Sequence, residues 1–128
     1  MVKVEIMSWT YEQMTGNLTT PSGELIAKGY SGYPPAKNNP TAEDLHDFGP
    51  IPRGMWQIVE LIEESTNHGP FVLRLESYAE TQTFGRSGFL VHGDSSSHLG
   101  LASHGCIILS RDVRQTLWSS QDHDLSVI

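Results

Sequence analysis

Twenty residues, "FLVHGDSSSHLGLASHGCII" at 89–108, hold three of the six histidines and the only cysteine of the chain. A cysteine attacks an acyl carbon as a thiolate, and a free thiol with a pKa of about 8.5 is mostly protonated at neutral pH. A neighbouring imidazole can take that proton. His92 and His104 are the candidates for this base, and His92 precedes Cys106 by 14 positions. Gly105 removes a side chain where a substrate carbonyl must approach, and the Gly105 and Cys106 amides are the expected oxyanion donors. The same residues also read as a metal site. His92 with Asp94, and His104 with Cys106, each share a face on extended chain, which suits a tetrahedral zinc centre with His98, Asp122 or Asp124 as further ligands. Against zinc stand the lack of a second cysteine and of a His-Glu-x-x-His helix. A lone cysteine is in many domains simply a small hydrophobe, so the residues alone leave three readings open.

These groups need elements to hold them. "FLVHGD" reads as a short apolar strand that delivers His92 to the mouth of a sheet, where the chain leaves through Gly93. Ser103-His104-Gly105 leads instead into the apolar run Cys106-Ile107-Ile108-Leu109, so Cys106 lies where a loop enters the core. "GMWQIVELIEES" and "GPFVLRLESY" are β-rich runs joined by "TNHG", a hairpin signal. Upstream, Val2, Val4 and Ile6 alternate with polar neighbours, and "GNLTTPSGELIAKGY" punctuates two β-prone stretches, giving a hairpin or meander. "SRDVRQTLWSS" is the one convincing helix, with Ser110 as N-cap, Asp112 in the first turn, and Val113 and Leu117 on one face. "DLSVI" reads as a last strand. The stretch 31–54 carries five prolines and no period, and is expected to be an ordered surface loop.

At 128 residues the chain is expected to form a single domain, 1–128, mainly β with one short helix after the cysteine. Eight basic against 15 acidic residues give a formal charge of −7, and the basic ones are scattered. A nucleic-acid backbone or anionic membrane surface calls for a positive stripe, so neither is an expected partner. No run approaches the roughly 18 apolar residues of a membrane helix, and the opening "MVKVEIMSWTYEQ" alternates where an export signal would have an apolar core. A single cysteine excludes an internal disulfide.

"HG" at 92–93 followed by "SHGCI" at 103–107 resembles the signature of YkuD-type L,D-transpeptidase catalytic domains. "IPRGMWQI" at 51–58, "GFLVHG" and "DLSVI" resemble strands of that family, so the likeness covers mainly Gly49 to the carboxyl terminus. It implies a β-sandwich, no cofactor, Cys106 as nucleophile, and His92 as general base and acid oriented by the Gly93 carbonyl. It also implies that His104 and Ser103 line the site and that Gly105 and Cys106 supply oxyanion amides. The family usually has Arg after the Cys-Ile pair, where this chain has Ile108. Binding the substrate carboxylate would then fall to Arg111 or Arg86, with Tyr30 and Asp94 as further substrate contacts. Asp94 alternatively polarises His92 or ends the strand as a turn residue.

"GYSG" at 29–32, "AKNNP" at 36–40, "GPIPRG" at 49–54 and "GRSGFLVHGD" at 85–94 resemble the small L,D-transpeptidase-like effectors of type VI secretion systems. That likeness implies L,D-carboxypeptidase action on peptidoglycan tetrapeptide stems, or exchange of their terminal D-alanine. It further implies synthesis in the cytoplasm without a signal peptide, action in the periplasm of a target bacterium, and as partners an immunity protein and a component of the secretion apparatus. A zinc-dependent peptidoglycan hydrolase and a non-catalytic wall-binding module are the alternatives.

Overall fold

The two longest β-rich runs pair with each other. In the computed structural model, which describes residues 8–128, β5 (Gly54–Ser65) and β6 (Gly69–Ser77) form an antiparallel hairpin around the turn at 66–68. Alternation along β5 sends Trp56 and Ile58 into the core and Gln57 to solvent. A register shift between Ile58 and Glu60 marks a bulge. The other strands are short: β1 (Trp9–Tyr11), β2 (Asn17–Thr19), β3 (Leu25–Lys28), β4 (Tyr30–Ser31), β7 (Leu90–His92), β8 (Ile107–Ile108) and β9 (Asp124–Val127). β1, β2 and β3 make the expected meander. The alternation of Val2, Val4 and Ile6 lies outside the described residues.

Among the described residues nine strands join one sheet in the order β3-β2-β1-β9-β5-β6-β7-β8-β4. Its two edges, β3 and β4, are consecutive in the chain with only Gly29 between them, so the sheet must fold over until its edges meet. Glycine makes that closure possible. A Cβ on Gly29 would lie 2.0 Å from the Ile108 carbonyl oxygen, and one on Gly16 would lie 1.9 Å from the Gly29 carbonyl oxygen. Inside the fold Trp9, Leu18, Trp56, Leu73, Ile107 and Leu125 belong to one core cluster, each large side chain stabilising by about 1.5–3 kcal/mol. The closing strand is not at an edge: β9 runs parallel to β1 and antiparallel to β5.

Helix α1 (Arg111–Ser119) starts after Ser110 as expected, but the Ser110 side chain makes no capping bond. Leu117 is buried and Val113 packs against the core. Arg114 is buried beside them, which no local pattern announces. The proline-rich stretch is ordered, but not wholly a surface loop. It includes a 3-10 turn (Pro40–Ala42), and Pro50, Ile51 and Pro52 run through the interior. Among the described residues no helix is long and apolar enough to cross a membrane.

Candidate active site

Strand pairing brings the segments of the expected nucleophile and base side by side. β7 and β8 run parallel, with Val91 beside Ile107 and His92 beside Ile108. Carried back one step, that register sets Cys106 beside Leu90. Neighbours in register point the same way and side chains alternate along a strand, so Cys106, Leu90 and His92 share a face.

His92 is 3 % exposed, and its Nδ1 lies 2.9 Å from the Gly93 carbonyl oxygen. A carbonyl only accepts, so Nδ1 carries the proton and Nε2 keeps its lone pair. Burial lowers the His92 pKa, and the His68 ring and the Arg114 charge push the same way against the Gly93 carbonyl and Asp94. Cys106 is half-buried, and its sulfur sits 3.9 Å from the Gly88 carbonyl oxygen. Burial pushes the thiol up to about 11, opposed by the Leu90 amide and the Arg86 charge.

Two clefts adjoin at this face. The larger, about 960 Å³, is lined by His92, Gly93, Tyr30, Asp94 and Arg111. The smaller, about 330 Å³, is lined by Cys106, Gly105, Arg86, His46 and Asp47. His68 and His104 line both. The His104 ring stacks on Tyr33 with centroids 5.0 Å apart, and its Nδ1 lies 2.8 Å from the Asp47 carbonyl oxygen.

Most of the expected substrate contacts are engaged within the protein itself. Ser103 is fully buried, and its hydroxyl accepts from the amides of Gly32 (2.8 Å) and Gly105 (3.1 Å) while donating to the Cys106 carbonyl (2.5 Å). The Gly105 amide, one of the two expected oxyanion donors, therefore faces Ser103. Gly105 has φ +138°, and a Cβ there would meet the Arg86 guanidinium at 2.6 Å. Its small size accommodates Arg86 rather than a substrate carbonyl.

Arg86 itself is a tie. Its guanidinium donates to the carbonyls of Glu43 (2.5 Å), Pro50 (2.8 Å) and Gly49 (2.8 Å), with His104 at 3.4 Å. The Tyr30 hydroxyl donates to Asp94 Oδ1 (2.6 Å) and accepts from the Ala102 amide (2.9 Å). Asp94 also accepts from the Ser95 and Gly100 amides, as a turn residue does. Burial works to raise its carboxyl, but Tyr30 and those amides outweigh it and hold the group below the usual carboxylate range. Arg111 is exposed on the rim of the larger cleft. The zinc alternative loses its donor set: among the described residues no three His, Cys, Asp or Glu side chains gather as metal ligands would.

Residues 26–127 match the Tlde1 domain, a type VI effector family. The chain belongs to this family. No curated protein sequence matches it. Among solved structures it is similar to a cysteine-to-serine mutant of an Enterococcus faecium L,D-transpeptidase, at 15 % identity and TM-score 0.61 over 98 % of this chain and 50 % of that one. It is also similar to Mycobacterium tuberculosis L,D-transpeptidase 1, at 16 % identity and TM-score 0.52 over 96 % of this chain and 61 % of that one. A Xylanimonas cellulosilytica L,D-transpeptidase gives 20 % identity and TM-score 0.55 over 94 % of this chain and 59 % of that one. At such identities the likeness is one of fold, and the fold of this Tlde1 domain is L,D-transpeptidase-like. The chain spans about half to three-fifths of the length of those enzymes.

Three parts of the site in this family member were not legible in advance. His68, in the β5–β6 turn, lies against His92 with ring centroids 4.6 Å apart. Its only sequence signal is a ring in a turn whose geometry already has Gly69 to serve it. Arg114 donates to the carbonyls of Phe71 (2.8 Å), Leu109 (2.5 Å) and Pro70 (3.1 Å), pinning the helix to the strands beneath Gly93. Ser31 donates to the Gly105 carbonyl (2.9 Å) and accepts from the Ile51 amide (2.8 Å). These contacts join segments far apart in sequence, so no local pattern announces them.

Proposed function

We propose that the chain, as one catalytic domain over 1–128, is a cysteine acyltransferase acting on peptidoglycan stem peptides. The observation that carries this reading is the His92 ring, bonded at Nδ1 to the Gly93 carbonyl so that Nε2 is left to accept, on the strand paired with the one that directly follows Cys106. Nε2 takes the thiol proton as sulfur attacks the acyl carbon of the diaminopimelate to D-alanine bond. The oxyanion is met by the Cys106 amide. The tetrahedral adduct collapses, the His92 proton passes to the departing amine, and free D-alanine leaves a thioester on Cys106. Water resolves the thioester in an L,D-carboxypeptidase, and the amine of a D-amino acid resolves it in exchange.

Arg111, exposed and lining the larger cleft together with His92, supports binding of a substrate carboxylate there. Tyr30 and Asp94 shape that cleft, while Ser103, Gly105 and Arg86 hold the nucleophile's loop. Membership of the Tlde1 domain family supports a role as an antibacterial effector. In that role the chain is made in the cytoplasm, acts in the periplasm of a target cell, and has a secretion component and an immunity protein as partners.

Mass spectrometry of disaccharide-tetrapeptide incubated with wild type and with Cys106→Ala, with and without a D-amino acid, tests the reading. Loss or replacement of one alanine by the wild type alone is expected. Unchanged fragments in every arm would refute it.

A further inference from the structure

We propose that His68 is a positioning residue for the general base, fixing the His92 ring against rotation and tuning the pH at which it accepts a proton; this rests on His92 being that base. The ring of His68 lies on that of His92 with centroids 4.6 Å apart and planes tilted by 49°. His92 has one hydrogen bond at its ring, the Nδ1 contact with Gly93, so the rest of its orientation depends on the groups packed around this buried side chain. The imidazole of His68 is the ring in contact with it. It is carried by the tip of the longest hairpin in the fold, with Gly69 at φ +80° completing the turn and the Ser65 hydroxyl 3.4 Å from Nδ1.

His68 also stands where the clefts of His92 and Cys106 meet, since it lines both. The other charged or titratable groups around His92 are Arg114 and Arg111 from α1, Asp94 after β7, Lys28 and Tyr30 from β3 and β4, and His104 from the loop before Cys106. Arg114 and Arg111 are permanent cations. His68 is the neighbour in ring contact with His92, and it works to lower the His92 pKa. Removing it makes His92 easier to protonate, so the pH below which the base is lost moves upward.

The test compares wild type, His68→Ala and His68→Phe, with His92→Gln as control. Readouts are kcat and KM for D-alanine release from disaccharide-tetrapeptide, together with the His92 titration followed by imidazole ¹H–¹⁵N spectra. His68→Ala is expected to lower kcat about tenfold with KM within about twofold, the scale of a misplaced catalytic group. His68→Phe is expected to restore kcat within about threefold by returning a ring, while the His92 titration still moves to higher pH. Wild-type kcat in His68→Ala, a change confined to KM, no rescue by Phe, or an unmoved His92 titration would each overturn the proposal. The spectra read the two rings without turnover, so they separate the two failures: a fully active His92→Gln sinks the base assignment, whatever the His68 variants do to the titration.

Discussion

Replacing Gly105 by Ala isolates the contact on which the nucleophile's loop depends. The backbone at Gly105 has φ +138°, where an L side chain costs about 1–3 kcal/mol. The new Cβ would sit 2.6 Å from Arg86 Nη2 and 3.1 Å from the Phe89 ring. Relieving the clash moves the guanidinium off at least one of the Gly49, Pro50 and Glu43 carbonyls, and a hydrogen bond to a charged group contributes about 1.5–3 kcal/mol. Together these predict a loss of about 3–6 kcal/mol. In a domain of this size that lowers the melting temperature by at least about 10 °C. Gly88→Ala is the control, because Gly88 also has positive φ (+78°) but a Cβ there meets nothing within 4 Å. Its cost is backbone strain alone, about 1–2 kcal/mol. Thermal unfolding followed by circular dichroism decides between them. If the two variants melt within about 2 °C of one another, Arg86 does not depend on the absent side chain, and the account of Gly105 is wrong.

Alkylation of Cys106 by iodoacetamide should keep accelerating through pH 9 and level off only towards pH 11, where the buried thiol ionises; a plateau below pH 8 would mean a preformed thiolate. Turnover should survive acidification past the ordinary histidine range, because the base works while neutral and burial lowers the His92 pKa. An acid limb at or above about 6.5 in the kcat/KM profile contradicts this. Tyr30→Phe deletes a hydroxyl that bonds both Asp94 and the Ala102 amide, and should cost about 1–3 kcal/mol in urea unfolding. Since Asp94 then loses a bond favouring its charged form, its carboxyl should titrate at higher pH by NMR, and an unmoved Asp94 would mean that Tyr30 does not hold it.

What the sequence disclosed is what short-range pattern encodes. Alternation along Trp56 and Ile58, the turn before Gly69, the strand ending at His92 and the helix after Ser110 all reappear in the fold. The pairing of His92 with the Gly93 carbonyl was legible through family likeness, and that bond is present. Hidden from the sequence was how polar side chains would be used once distant segments met. Arg86 and Ser103 have the chemistry of substrate ligands, yet both bond backbone groups that would otherwise be buried unsatisfied. Likewise Arg114 on an amphipathic helix reads as solvent-facing until the carbonyls of Pro70 and Phe71 arrive beneath it. The demand on these residues comes from long-range contacts, which no window along the chain contains.

Burial acts on the proposed nucleophile and the proposed base in opposite senses with a single consequence. It raises the Cys106 thiol and lowers the His92 imidazole, so both changes oppose a thiolate-imidazolium pair and favour the neutral one. A resting site of this kind is a poor nucleophile toward small electrophiles in solution. Proton transfer becomes favourable only when an acyl carbon stands ready to take the sulfur's electron pair and the Cys106 amide to receive the oxyanion, because charge then moves onto groups arranged for it. Arg86 offers the nearest fixed positive influence on the thiol, but its donors are committed to carbonyls of the 43–50 segment. It therefore biases the sulfur without forming an ion pair with it. Selectivity for a positioned substrate follows from keeping both partners uncharged until that substrate arrives, and the alkylation and turnover profiles must then diverge: thiol labelling still rising at a pH where turnover has already levelled off.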